Sequence, residues 1–249
     1  GIRALQKVEQ PTMRDLYMLF ADEWFRYGIL KETRDPNIYH TLHDEFHAAS
    51  SSKQSEIREP ILNRIEPFYS NPYLYPSLCH PQCIDFAKLI DENCIVLIAL
   101  NTDREAVPDT EKSLVGQLLI SLMQMVGMSD QREEHPYYIY IDEVQDFVTD
   151  TLATIFNQAR QFGLSMTVAH QFFHQLPETV RSAVTNNAGA TIVFQTNPKD
   201  AQFLAPYMGD TFDKEKLVNL NLYQAAALVR LQGETQPPFQ LYPFPPPPD

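Results

Sequence analysis

The chain has 249 residues, 44% hydrophobic and 20% charged, the balance of an ordinary globular protein with room for one large domain or two small ones. Its 19 basic and 32 acidic residues give a formal charge of −13, which excludes a protein that grips nucleic acid with its whole surface; any DNA contact must be local or made by parts outside this sequence. No apolar run approaches the roughly 18 residues needed to cross a bilayer, the N-terminus shows no basic-then-apolar pattern, and three cysteines are too few for a disulfide framework. A reducing, cytoplasmic setting without direct membrane insertion is expected.

The first ~90 residues read as helical. Thr12 is placed to cap a helix over 13–30, with Leu16, Phe20, Trp24 and Ile29 near one stripe. "SSSKQS" (50–55) reads as a polar break, followed by a short helix, "EIREPILNRIEPF", started or kinked near Pro60. "NPYLYPSLCHPQC" reads as a proline-punctuated loop. From Cys94 the texture changes to short apolar runs between polar boundaries. "CIVLIAL" (94–100), "YYIYID", "LSMTVAHQ", "ATIVFQ" and "AAALVRL" read as five buried strands. Between them lie helical patterns: "EKSLVGQLLISLMQMVG", then "TLATIFNQARQFG" with Leu152, Ile155, Phe156, Ala159 and Phe162 on one face and Gly163 as its stop, then "PETVRSAVTNNAG". "NPKDAQFLAPYMG" follows, with Asn197 as cap and Pro198 at its first position. Alternating strands and helices predict an α/β fold with a parallel sheet. The proline-rich end predicts an extended or polyproline II tail.

The segment "HPYYIYIDEVQDF" places two carboxylates, Asp142 and Glu143, at the end of a buried run. Burying an unpaired carboxylate is costly, so the pair needs a use or an excuse. In a parallel sheet, ligands bind at the carboxyl ends of the strands. One carboxylate there can hold Mg²⁺ and the next can orient or deprotonate an attacking water, the Walker B arrangement of phosphoryl-transfer enzymes. The competing use is a helix cap. Gln171 ends the next strand at the same edge, where a neutral amide can sense a γ-phosphate and hold a water. Arg160 lies on the intervening helix, off its apolar face. An arginine there can reach a neighbouring subunit's phosphate, or simply be a surface residue.

The run from "YYIYIDEVQDFVTD" through "NQARQFGLSMTVAHQ" to "NNAGATIVFQTNPKDA" resembles the motor domain of the TraG/TraD group of conjugative coupling proteins, related to HerA and FtsK. The resemblance extends to "REPILNRIEPFYSNPYLYPSL" upstream and "NLNLYQAAALVRLQGETQPPF" downstream, nearly the whole chain. It implies a RecA-like P-loop NTPase-type sheet and an ATPase using ATP and Mg²⁺, working as a homo-oligomeric ring that moves DNA. It implies that Asp142 lies on the Mg²⁺ side, Glu143 is the catalytic base, Gln171 the sensor and Arg160 the residue acting in trans. Residues 1–91 become a helical subdomain, 92–233 a partial ATPase core and 234–249 a proline-rich tail. One motif is missing: none of the eight glycines is followed by lysine, so there is no G-x-x-x-x-G-K-[ST] loop to cradle phosphates. The chain is therefore expected to be the C-terminal piece of a longer motor or a naturally truncated relative, inactive alone and completed by a missing half or partner chain. The membrane's inner face would be reached through parts not in this chain.

Other constellations carry weaker chemistry. His40, His43 and His47 share a helical face with spacing suited to Zn²⁺ or Ni²⁺, but a solvated face explains them as well. Cys79, His80 and Cys83 lack a second pair. His170 and His174 read as strand-end and helix-face residues, and Tyr137, Tyr138 and Tyr140 as packing. Two other function classes stay open: a non-catalytic interaction module of the same fold, and a metal-dependent hydrolase built on Asp142 and the histidines.

Overall fold

The computed structural model of the chain describes residues 2–5, 8–33, 35–82, 84–100, 106–129 and 137–244. They fall into two compact units, residues 1–115 and 116–249.

The first unit is helical, and its caps follow from the sequence with two revisions. Thr12 accepts the Asp15 N–H at 3.4 Å while the Asp15 carboxylate accepts the Thr12 N–H at 2.8 Å, a reciprocal cap on the helix Met13–Ala21. The single helix expected over 13–30 breaks at Asp22, whose backbone is extended and whose carboxylate accepts the Phe25 N–H at 2.8 Å to start a second helix, Glu23–Glu32. The break re-phases the apolar stripe. Leu19, Phe20, Ile29 and Leu30 are buried, whereas Trp24 is 84% exposed. The polar stretch 50–55 is not a break either. Ser50 caps a 20-residue helix, Ser51–Ser70, which runs through Pro60 and Pro67. Serine is a favoured cap, and "KQSEIRE" supplies good helix formers behind it. Inside the unit, the Arg26 guanidinium donates to the Leu19 carbonyl at 3.0 Å and lies over the Phe46 ring, so the buried charge is both bonded and stacked.

The run Cys94–Leu100 forms no strand; Ile95 and Leu97 are each 91% exposed. An apolar run announces a need for burial, but a strand also needs a second backbone to take its N–H and C=O groups. Among the described residues none does so here.

The second unit keeps the expected alternation. Strand β1 (Tyr137–Ile141) pairs in parallel with β2 (Leu164–Val168), joined by the helix Asp150–Gln158 and a 3₁₀ turn, Ala159–Phe162. Gly163, at φ +66°, ends that turn in the left-handed region that glycine tolerates. The remaining strands depart from a single parallel sheet. β3 (Ala190–Val193) pairs antiparallel with β4 (Ala225–Leu231); β5 (Glu234–Thr235) and β6 (Phe239–Leu241) also pair antiparallel with β4. Two helices, Pro198–Met208 and Lys214–Val218, separate β3 from β4, and the chain re-enters beside the end of β3, with Val193 opposite Ala226. Part of the proline-rich end, expected to be extended or polyproline II, is extended and paired to β4 over 239–241.

One core joins the two sheets of this unit. Ile139, Val144, Leu152, Ile155, Leu176, Val180, Met208, Leu217 and Ala226 are buried together. Each fully buried aliphatic side chain contributes about 1.5–3 kcal/mol of transfer free energy. Gly116, in the helix Asp109–Ser129, sits against the Phe147 ring with no room for a Cβ, whereas Gly28, in the helix Glu23–Glu32, faces open space.

Those two glycines should respond oppositely to alanine. Gly28→Ala gains helix propensity and is expected to stabilise by about 0.5–1 kcal/mol. Gly116→Ala drives a methyl into the ring and should destabilise by about 1 kcal/mol despite the same propensity gain. Denaturant melts of both variants, with Phe147→Leu as the rescue of Gly116→Ala, check the signs.

Candidate active site

The geometry follows from the β1–β2 register. Tyr137 to Ile141 stand opposite Leu164 to Val168. The ladder continues past the strand ends, where the Ala169 N–H donates to the Ile141 carbonyl at 2.9 Å and the Val144 N–H to the Ala169 carbonyl at 3.0 Å. These bonds hold Asp142 and Glu143 beside residues 169–171. The Gln171 amide donates to Glu143 Oε1 at 2.5 Å, and the Gln145 amide donates to Oε2 at 2.6 Å. Both oxygens of Glu143 therefore face amide donors. The Gln145 bond first, and the Gln171 bond second, hold this carboxyl below its usual pKa.

Glu143 adopts φ +49°, ψ +48°, the left-handed region that costs a non-glycine residue about 1–2 kcal/mol. Such strain is kept where the surroundings impose it, commonly at functional sites. Here it falls between β1 and the 3₁₀ turn Val144–Phe147. Asp142 is exposed, and its Oδ1 accepts the Glu143 N–H at 3.0 Å. Magnesium takes one or two carboxylates and fills its octahedron with substrate phosphates and waters, and the Asp142 carboxylate fits that donor set. The described residues contain no group of three or more His, Cys, Asp and Glu able to hold a metal by themselves.

Sequence reasoning missed a second constellation behind Gln171. Asp200, buried at 1% exposure, accepts the Phe173 N–H at 3.1 Å, the His174 N–H at 2.8 Å, the His174 ring Nδ1–H at 2.8 Å and the Asn197 amide at 2.7 Å. Burial pushes this carboxyl up, but the His174 and Asn197 bonds outweigh burial and hold it below the usual value. His174 is thus an anchor rather than a plain helix-face residue. His170 packs 5.6 Å from the Phe173 ring, and burial lowers its pKa. The legible signal was Asp200 three residues beyond Asn197, where an acidic side chain sits in a helix's first turn.

The remaining candidates lie elsewhere. Arg160 is on the 3₁₀ turn Ala159–Phe162; its side chain lies outside the described residues, as does Cys83. His40 and His43 both engage Asp44, and His47 lies near Glu23, all on or beside a π-helix, His40–His47, of the first unit.

No known family profile and no curated protein sequence matches the chain. Solved structures do. The bacterial conjugative coupling protein TrwBΔN70, in its unbound monoclinic form, is 13% identical, with a TM-score of 0.66 over 96% of this chain and 59% of that one. The chain shares the fold of a conjugative coupling protein. TrwB in complex with ADP and Mg²⁺ matches at 14% identity and a TM-score of 0.63, and TrwB with the non-hydrolysable analogue ADPNP at 15% and 0.62, each over 96% of this chain and 59% of the other. At these identities the likeness establishes the RecA-like α/β fold. The chain spans 59% of the length of the TrwB structures it matches.

The two amides give the Glu143 carboxyl a testable titration. A depressed folded pKa means that the amide bonds contribute above the unfolded value, near 4.3, and are lost as pH falls through the folded one. Carboxyl-detected NMR should place the Glu143 midpoint below that of an unfolded glutamate, with Gln145→Ala raising it most and Gln171→Ala raising it less. An unchanged midpoint in both variants would mean that neither amide holds the carboxylate.

Proposed function

We propose that the chain is the C-terminal portion of a ring-forming motor of the conjugative coupling type, which hydrolyses ATP with Mg²⁺ to move DNA or a protein–DNA substrate in conjugation or type IV secretion. The observation that carries this reading is the Glu143–Gln171 contact across the carboxyl ends of adjacent parallel strands, in a chain with the TrwB fold. In this reading residues 1–91 are the helical subdomain, 92–233 the partial core and 234–249 the tail.

Each side chain takes a role its position supports. Asp142 holds the metal side of the site, where bound Mg²⁺ supplies charge neutralisation to the phosphates. Glu143, kept ionised by two amides, accepts the proton of an attacking water. For that water to approach, one donor must yield a lone pair, and Gln171, on the segment after β2, can transfer its amide from Glu143 to the water or the γ-phosphate. Arg160 serves a neighbouring subunit's phosphate. The phosphate cradle comes from a P-loop outside this sequence.

Exposed apolar side chains support a missing portion. Tyr138 and Tyr140 on β1 are 57% and 75% exposed, and Ile192 and Phe194 at β3 are more than half exposed. A monomer rarely leaves such faces open. The motor would act in the cytoplasm at the membrane's inner face through other parts; among the described residues no helix is long and apolar enough to cross a membrane.

Alone, the chain is expected to bind ATP–Mg²⁺ weakly or not at all in calorimetry. Adding the P-loop half should restore phosphate release, and Glu143→Gln should then lower turnover ~10²–10⁴-fold while ATP binding survives. Micromolar ATP affinity in the lone chain would place the phosphate site elsewhere. A completed motor indifferent to Glu143→Gln would reduce the carboxylate pair to a helix cap.

A further inference from the structure

We infer that Asp200 is a positioning residue of this site: it clamps Phe173 and His174 to the start of the helix Pro198–Met208 and thereby aims the Gln171 amide at Glu143. The inference rests on the reading above, in which Gln171 and Glu143 act as a pair.

The geometry is that of a buried carboxylate with a specific task. Two of its four bonds go to consecutive backbone N–H groups of the segment that follows β2, and a third goes to the His174 ring. The fourth comes from Asn197, which also caps the helix by accepting the Lys199 and Asp200 N–H groups at 3.0 and 2.9 Å. Asp200 is therefore fixed at its own end before it fixes anything else. A desolvated carboxylate with four donors is held far more firmly than an exposed one, because water cannot readily replace a donor that is lost.

The segment it holds is short. The β1–β2 ladder pins Ala169 at one end, and Asp200 pins Phe173 and His174 at the other. Gln171 lies between the two anchors with its side chain exposed, and its amide reaches Glu143. A third support comes from Arg181, on the helix Glu178–Asn187, which donates to the His174 carbonyl at 3.4 Å while stacking over Phe203 of the helix Pro198–Met208. With one anchor released, Gln171 would hang from a single strand end. Loss of alignment by about an ångström at such a group commonly lowers turnover ~10²-fold.

Two measurements test this. In the 249-residue chain, peptide-level deuterium exchange should speed up over 169–176 in Asp200→Asn and leave β1 unchanged. In the motor completed by its P-loop half, Asp200→Asn should lower kcat by about 10- to 100-fold with ATP affinity retained. The same substitution should cost nothing further in a Gln171→Ala background, because it acts through that amide. His174→Ala, which deletes the ring bond and keeps both backbone bonds, should show the same pattern more weakly and serves if Asp200→Asn does not fold. Met208→Ala, an equally buried truncation of the same helix, should lower stability and spare kcat. Unchanged exchange over 169–176, or losses that add in the double variant, overturn the inference. A Gln171→Ala motor with full turnover instead overturns the catalytic reading, while the exchange result still decides whether Asp200 holds the segment.

Discussion

Parallel pairing of β1 with β2 sets everything at the candidate site. Parallel strands run the same way, so their carboxyl ends finish at the same edge. With Ile141 opposite Val168, the residues that leave β1 meet those that leave β2. A register slip of one residue would turn each side chain to the other face and separate Glu143 from Gln171. The register is held from below by the burial of Ile139 and Leu164, and from above by the two backbone bonds through Ala169. Apolar burial thus fixes the placement of polar groups that contribute little burial themselves.

The polar groups then constrain one another in two tiers. Near the solvent, Glu143 is bracketed by Gln145 and Gln171 while its own backbone sits in a strained conformation. Deeper, Asp200 collects four donors. The tiers differ in how they respond to water. An exposed carboxylate can exchange an amide for a water at small cost, whereas a buried one cannot lose a donor without a large penalty. The adaptable contact thus lies at the rim and the unyielding one in the interior.

The open faces belong to the same logic. Among the described residues β1 and β2 form a two-stranded sheet, too small to be stable without the helices and core packed on one side. On the other side Tyr138 and Tyr140 remain exposed, and the apolar run 94–100 has no strand beside it among the described residues.

The sequence by itself determined what depends on neighbours along the chain. Caps such as Thr12 and Asn197, the Gly163 stop, the apolar stripe through Leu152 and Ile155, and the Asp142–Glu143 pair after a β-branched and aromatic run all rest on local stereochemistry or on a fixed period. Local rules also misled where two of them competed: the 3.6-residue stripe across 13–30 overlooked Asp22, whose side chain favours capping a new helix, and the serines at 50–55 looked like a break when one of them starts a helix. Only the tertiary structure decided matters that need a partner distant in the chain. Whether 94–100 becomes a strand depends on a second backbone, and β4 pairs antiparallel with β3, a direction that the apolar run of β4 does not carry. The Glu143–Gln171 bond spans 28 residues and the Asp200–His174 bond 26, and no period or motif connects such positions. They meet because the core places two strand ends and one helix start at a single edge, which is a property of packing rather than of local pattern.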